Sequence, residues 1–266
     1  MTLDVIVSKP TKKSEFEECF KVTQKAWTGL PCEQRIPEHI MQASDRTSLF
    51  RIAKENSRVV GYAMCFNAKE NQIYLHAIGV DGKAHSKGIG KKLMDELCKD
   101  AREKGVESIL LTYEPFKTNN ANLYIRKMKG QVIGFELDAY QSTNDNGDAS
   151  TDRFLVKIST AQEDTPVREI PTNALIQTKV CKVKYSPAGN MEIIRSGGAT
   201  FDHKGFCAIE VPSSIKHIEN HGQEKEFGLI YRDVFTLARQ VGEIVDFRTV
   251  SEFNQRRNFY ILQQRK

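Results

Sequence analysis

Between Ala84 and Met94 the chain reads AHSKGIGKKLM, with Gly88 and Gly90 two apart, Lys87 before them and Lys91 and Lys92 after. Glycine lets the backbone turn tightly and approach a ligand with no Cβ in the way. A helix start exposes unpaired N–H groups and a partial positive charge. Together they make an anion site of about pyrophosphate size, with the lysines adding charge at its rim. Taken alone, the segment fits a plain helix start with convenient glycines equally well. It is not a P-loop, which needs a longer gap and a lysine followed by Ser or Thr. Nor is it a dinucleotide fingerprint, which needs three glycines at other spacings.

Other residues carry chemistry by type. Tyr74 and His76 share one face of a predicted strand, and the intrinsic pKa of a histidine, about 6.5, suits proton transfer. Glu114 stands just past a strand end, where open sheets often place chemistry. As a base near neutral pH it needs an upward pKa shift or a water relay. Asp152 and Arg153 read as an ion pair or turn cap, with a substrate contact as the other reading. Arg232, beside Asp233, either grips a carboxylate bidentately or pairs locally. Asp202 and His203 have no partners at ligand spacing, so no metal is expected.

These groups need a scaffold. DVIVSKP (Asp4–Pro10) predicts a first strand. KKSEFEECFKVTQKAW sets Phe16, Cys19, Phe20, Ala26 and Trp27 at helical spacing, with Ser14 as the expected cap. A short helix follows Pro37. Residues 48–80 read as three strands joined by turns at ENS and AKEN, and the third, Gln72–Val80, points at the glycine turn. Ile89, Leu93, Leu97 and Ala101 form the apolar face of the next helix, which Gly105 ends. The strand VESILLTYEP, the short helix NNANLYIRKMKG, the strand QVIGFELDAY, a polar loop and the strand DRFLVKIS follow. The polar, proline-bearing stretch Thr160–Asn173 marks a boundary and divides the chain into 1–160 and 161–266. The remainder is strand-rich, with an amphipathic helix, KEFGLIYRDVFTLARQVG, that has Leu229, Val234, Leu237 and Ala238 among its apolar positions. The expected class is α/β (α+β by some schemes): a mixed central sheet flanked by helices, then a second strand-rich α/β unit.

The composition bounds the function. Of 266 residues, 39% are hydrophobic and 9% aromatic, which is globular and not disordered. No run of 18 apolar residues suggests a membrane span, and MTLDVIVSKPTKK reads as no secretory signal. The six cysteines are scattered, with no close pair for a zinc knuckle. A reducing cytoplasm is the expected location. The formal net charge of +5 weakly favours anionic ligands, nucleotides included. Without a basic stripe it does not argue for nucleic acid.

With its neighbours included, the glycine turn resembles that of the GNAT superfamily of acyl-CoA-dependent N-acyltransferases. Members typically carry Arg or Gln, two residues, Gly, one residue, then Gly or Ala between the fourth strand and the third helix. Here the positions are His85, Ser86, Lys87, Gly88, Ile89 and Gly90, with His85 departing from the family habit. The four elements before and the strand after follow the family order. Past the fifth strand, members often have an Asn, an Ala, an aromatic-Tyr pair and a lysine, to which NNANLYIRKMKG offers Asn119, Asn122, Leu123, Tyr124 and Lys127. The chain is similar most closely to an uncharacterised subgroup with a long C-terminal extension. YEPFKTNNAN, with Glu114 in the acidic position, and STDRFLV match two of its phrases. IEVP, YRDVF, VDF and NFYIL match its tail, so the likeness runs from Val5 to Leu262.

The resemblance implies acetyl-CoA or another acyl-CoA as co-substrate. Its pyrophosphate would lie over Lys87–Lys91 and its pantetheine along the strand end Ala77–Val80, beside Ile78, Gly79 and Val80. The N–H of Gly79 or Val80 could donate to the thioester oxygen. Asn119 or Asn122 would lie near the pantetheine arm. Tyr124 would lie near the sulfur, where a phenol could protonate the leaving thiolate; packing of its helix is its other reading. Glu114 ranks ahead of His76 as the general base, and family members often use water wires instead. The implied reaction moves an acyl group directly to an amine, most simply of a small molecule. A non-catalytic acyl-CoA-binding or sensing protein is one alternative. An assembly module, with a C-terminal part that presents a protein-binding surface, is another. That part could also cover the acceptor cleft or form a homodimer interface.

Overall fold

The computed structural model describes residues 4–27, 35–69, 71–84, 87–140, 151–161, 179–185, 191–195, 199–212, 224–252 and 255–265. The chain divides into two compact units: residues 1–111 with 157–163, and residues 112–156 with 164–266.

The first unit opens with β1 (Ile6–Ser8), α1 (Lys13–Ala26) and α2 (Glu38–Thr47). The cap of α1 is Lys12, not the expected Ser14, which lies inside the helix. Glu15 reaches back instead, accepting the N–H groups of Thr11 at 2.5 Å and Lys12 at 3.0 Å. A carboxylate in the first turn thus takes donors that have no helical partner. β2 (Phe50–Glu55), β3 (Arg58–Asn67) and β4 (Gln72–Val80) follow as an antiparallel meander. Asn56 and Ser57, at φ 50° and 64°, make the tight turn between the first two, as a two-residue type I′ hairpin requires.

β3 is buried along most of its length, the mark of a strand covered on both faces. On one face Phe16, Cys19 and Val22 of α1 and Met41 of α2 pack with Phe50, Ile52 and Tyr62. On the other lies α3 (Ile89–Glu103). Gly61 admits it closely, since a Cβ there would stand 3.2 Å from Ile89 and 3.4 Å from Leu93. Ile89, Leu93, Leu97 and Ala101 are buried, as their spacing predicts. α3 ends with Gly105 at φ 72° and the bonds Val106 N–H to Ala101 O at 2.8 Å and Gly105 N–H to Arg102 O at 3.0 Å, a Schellman motif.

Next come β5 (Ser108–Tyr113), the single turn α4 (Thr118–Ala121) continued by a π-helix (Asn122–Lys127), β6 (Gln131–Glu136) and β7 (Arg153–Ser159). Seven strands pair in the order β1-β2-β3-β4-β5-β7-β6. Of these elements, α4, the π-helix, β6 and the start of β7 belong to the second unit, which also holds β8 (Lys179–Tyr185), β9 (Met191–Arg195), β10 (Phe206–Val211), α5 (Glu224–Val241), β11 (Gly242–Glu252) and β12 (Gln255–Gln264). Strands β8 to β12 form a second sheet in the order β11-β12-β10-β8-β9. The fold is the mixed α/β arrangement expected, with the second strand-rich sheet present.

The second unit's core is aromatic. Phe235 of α5 meets Phe154 at 4.8 Å and Tyr260 at 5.5 Å between ring centroids. This fixes the buried face of α5 as Phe227, Tyr231, Val234, Phe235 and Ala238. Leu229 and Leu237, grouped with the apolar face by sequence, are 53% and 43% exposed. The aromatic rings lie on another stripe, and they bury more area per residue than leucine. Cys19, Cys65, Cys98, Cys181 and Cys207 are free, buried thiols. Cys32 lies outside the described residues.

Candidate active site

β4 supplies the first part of the site. It pairs with β5 in parallel from Gln72–Ser108 to Tyr74–Leu110, and that ladder does not extend to Ala77–Gly79. On its other side β4 stays paired with β3 as far as Val80. There the register slips between Met64–Ala77 and Cys65–Leu75, which leaves His76 as the extra residue of a bulge. A bulge bends its strand and sharpens the twist. This one stands two residues past the last β4–β5 pair.

The strand end is held from behind. A Cβ on Gly79 would lie 3.1 Å from both the Trp27 and Tyr62 rings. Glycine there lets the last turn of α1 close over the strand. The Tyr62 hydroxyl shares a hydrogen bond of 2.8 Å with Thr23, which anchors its ring. Asp81 comes next and is buried. Its carboxylate takes Lys25 at 2.7 Å and the Lys83 N–H at 3.2 Å, while its own N–H donates to Val60 O at 2.8 Å. The Lys25 hydrogen bond is the main cause holding the Asp81 carboxyl below the usual range. Asp81 thus fixes the short turn Gly82–Ala84 that leads to the glycines. Sequence reading missed this role, although Asp-Gly after a strand is a turn signal.

Gly88 caps α3 in the left-handed region at φ 73°, and a Cβ there would meet none of the described residues within 4 Å. Gly88 is exposed. Ile89 is buried under the helix, so at this turn it offers only its backbone. Lys87 pairs with Glu55 at 2.6 Å and Lys91 with Asp95 at 2.6 Å. Lys92 reaches Val5 O at 3.4 Å. The three rim cations are therefore engaged. His85 and Ser86 lie outside the described residues. His76 is exposed, with the Phe66 ring at 5.3 Å and the Tyr74 ring at 6.5 Å. Its surface exposure notwithstanding, loss of water around the ring pushes its pKa below the ordinary value.

The remaining candidates fall in the second unit. Glu114 takes Arg153 at 3.2 Å and Lys117 at 3.6 Å. Arg153 also lies over the Tyr140 ring at 4.9 Å. Asp152 accepts two bonds from Arg232, at 2.9 and 2.7 Å, and the Asp138 N–H at 2.9 Å. Arg232 adds Asp138 at 2.6 Å, while Asp233 pairs with Arg195 at 3.1 Å. Asp152 and Arg232 are both engaged in ion pairs, but not the local ones expected: they pair with each other across the chain, while Arg153 goes to Glu114 and Asp233 to Arg195. Glu114, Asp152 and Arg232 border one cavity of about 20 Å³ with Phe116, Phe135 and Tyr231, room for about one water. Asp202 caps its own turn, accepting the N–H groups of Lys204 at 2.9 Å and Phe206 at 2.8 Å.

Tyr124 is buried inside the π-helix, with its ring 5.6 Å from that of Tyr113. Single π-turns are frequent at functional sites. Asn119 is exposed and Asn122 half-buried. The tyrosine that sequence reading passed over is Tyr260. Its hydroxyl donates to Pro115 O at 2.6 Å and lies 3.1 Å from that of Tyr113. Only the aromatic run NFYIL hinted at it.

An exposed glycine at a helix start, reached from a bulged strand parting from its parallel neighbour, now has a match among known proteins. Residues 14–130 match the family described as "Acetyltransferase (GNAT) family". Those residues form a GNAT acetyltransferase domain. In fold the chain is similar to yncA from Salmonella typhimurium, solved with its cofactor acetyl-CoA. Identity is 14% and TM-score 0.51, over 62% of this chain and 99% of that one. It is likewise similar to an N-acetyltransferase from Staphylococcus aureus Mu50, at 15% identity and TM-score 0.50, over 59% of this chain and 99% of that one. No curated protein sequence matches the chain.

GNAT proteins use acetyl-CoA as co-substrate, and this GNAT domain fits it. Among the described residues nothing crowds Gly88 at the start of α3, where helix N–H groups suit a pyrophosphate. The end of the β4–β5 ladder leaves strand backbone for an amide-bearing arm. Among the described residues, no helix is long and apolar enough to cross a membrane.

Proposed function

We propose that this GNAT protein moves an acetyl or other acyl group from acyl-CoA directly to an amine of a small-molecule acceptor. The observation that carries the reading is the coincidence, within one domain, of the His76 bulge, the end of the β4–β5 ladder and the exposed, left-handed Gly88. In this reading the backbone of Gly88, Ile89, Gly90 and Lys91 binds pyrophosphate, with Lys87, His85 and Ser86 beside it. Ile78, Gly79 and Val80 bind pantetheine, and an N–H of this strand end polarises the thioester carbonyl. Asn119 and Asn122 are the proposed side-chain contacts to the pantetheine arm.

The amine nitrogen attacks the thioester carbon, the C–S bond breaks, and CoA leaves as a thiolate. Tyr124 is the proposed donor of the proton that thiolate takes up. The amine must lose a proton as the new bond forms. Glu114 and His76 are the two proposed acceptors. Glu114 already serves two cations, so it must loosen one pair to take a proton. His76, with its lowered pKa, is neutral at pH 7 and able to accept one.

The test is acetyl-CoA incubated with a panel of primary amines and with peptides, with free thiol and acylated product both followed. Thiol release matched one to one by an acylated small amine is expected. Acylation of peptides alone would overturn the acceptor class. Tight acetyl-CoA binding with no transfer to any acceptor would favour the non-catalytic binding protein.

A further inference from the structure

A second cavity, of about 470 Å³, lies wholly within the second unit, between the strand edges of β6 and β11. Its size is that of a small-molecule site. β6 is the last strand of the seven-stranded order and β11 the first of the five-stranded one. Each therefore turns a sheet edge outward, where backbone N–H groups are not used by the sheet.

The cavity's charge is unbalanced. Lys129, Arg239, Arg248 and Arg265 line it against two acids, Glu243 and Asp246. Asp246 is already shared by two guanidinium groups, Arg248 at 2.6 Å and Arg126 at 3.1 Å, and also accepts the Phe247 N–H at 2.8 Å. It has little capacity left to neutralise anything else. Arg239 spends a donor on a backbone carbonyl, Ile133 O at 3.1 Å, and no acid among the described residues pairs with it. Arg265 and Glu243 stand 3.7 Å apart and are more than half exposed, a pairing that holds weakly and exchanges easily.

Two backbone features aim these groups. β11 and β12 slip register between Ile244 and Asp246, so Val245 is the extra residue of a bulge. The bulge lets Ile244 and Phe247, three apart, share the face toward Tyr260 and Leu262. It sends Asp246 and Arg248 to the opposite face. Lys129 holds φ 57°, a left-handed conformation in which Gly or Asn would be at ease. A lysine kept there at a cost in backbone energy brings an exposed ammonium to the rim.

We infer that this cavity binds a small anion carrying at least two acidic groups, carboxylate or phosphate, separately from acyl-CoA. The site does not depend on the transfer reaction. Its wall continues from the π-helix that holds Tyr124, through the Gly130 N–H to Tyr124 O bond of 2.8 Å.

Isothermal titration of the full-length protein with citrate and, separately, with inorganic pyrophosphate tests the assignment. The partner variants are Lys129→Glu, Lys129→Ala and, as a control for the glycine turn, Gly88→Val. Saturable binding of at least one probe is expected. Lys129→Glu should weaken it at least tenfold and Lys129→Ala less, while Gly88→Val leaves it unchanged. Citrate alone would mark a carboxylate ligand, pyrophosphate alone a phosphate one. Lys129 is exposed, and matched melting curves would show that its variants fold. No saturable binding of either probe would overturn the inference. So would binding indifferent to both Lys129 substitutions, or binding lost in Gly88→Val.

Discussion

Lys87 is held by Glu55 at 2.6 Å, so a phosphate that recruits this lysine must compete with a carboxylate. Glu55→Gln keeps the shape and removes the competitor. Acetyl-CoA affinity should rise about two- to five-fold, the scale of a partly exposed ion pair, and the gain should shrink in high salt; unchanged or weaker binding by calorimetry would remove Lys87 from the site. His76 bears on pH. Loss of water around the ring lowers its pKa, so the neutral, proton-accepting form persists below pH 6.5. As the base, it would make kcat/KM fall on an acid limb below that pH, and His76→Gln would abolish the limb along with most activity. A limb that survives the substitution would leave the role to Glu114 or to water. Glu15 is structural. Its burial raises the pKa, but Lys54 and the N–H groups of Thr11 and Lys12 outweigh this and bring it from 4.5 to about 2. A depressed carboxylate stabilises the fold fully above its unfolded pKa and loses that contribution as pH falls through the folded one. Denaturation midpoints of wild type should therefore exceed those of Glu15→Gln at pH 6 and converge on them between pH 4.5 and 2.

At the scale of elements, the end of β4 depends on a glycine that α1 packs against. Gly79→Ala would press a methyl into the Trp27 and Tyr62 rings, each 3.1 Å from its Cβ. Overpacking of this kind costs about 1–3 kcal/mol, and Trp27→Phe in the same chain should recover part of it in thermal melts. A melt unchanged by Gly79→Ala would mean that the ring contact is slack. The helix faces and hairpins near this strand were legible, because local spacing and turn residues decide them. Ile89, Leu93, Leu97 and Ala101 announced the buried face of α3, because a strand would put the charged Lys91, Asp95 and Lys99 on that same face and a helix does not. The bulge was not legible. YLHAI alternates smoothly as a sequence, and only its pairing with Met64 and Cys65 shows that His76 is extra. The face of α5 was misjudged for a related reason. Leu229 and Leu237 are as apolar as their neighbours, and the choice was made by Phe154 and Tyr260, which lie far away in the chain.

For the molecule as a whole, the likeness to a GNAT domain was readable because its decisive signal is short and local: a strand, two glycines and a helix start. Of the likeness expected from Val5 to Leu262, residues 14–130 then became a domain match. The partners of the candidate side chains were a different matter. Arg232 finds Asp152 across 80 positions, and Tyr260 finds Tyr113 across 147. No spacing rule carries such distances. Residue types showed that charges and phenols were present, and the fold decided which of them were spent on one another. The central claim is that the turn at Gly88 cradles the phosphates of acyl-CoA. Calorimetric titration of the full-length protein with acetyl-CoA, in wild type and in Gly88→Val, tests it most directly. Saturable binding in the wild type is predicted, weakened at least tenfold in a variant that melts as a folded protein. No binding in the wild type, or equal binding in both, would contradict it.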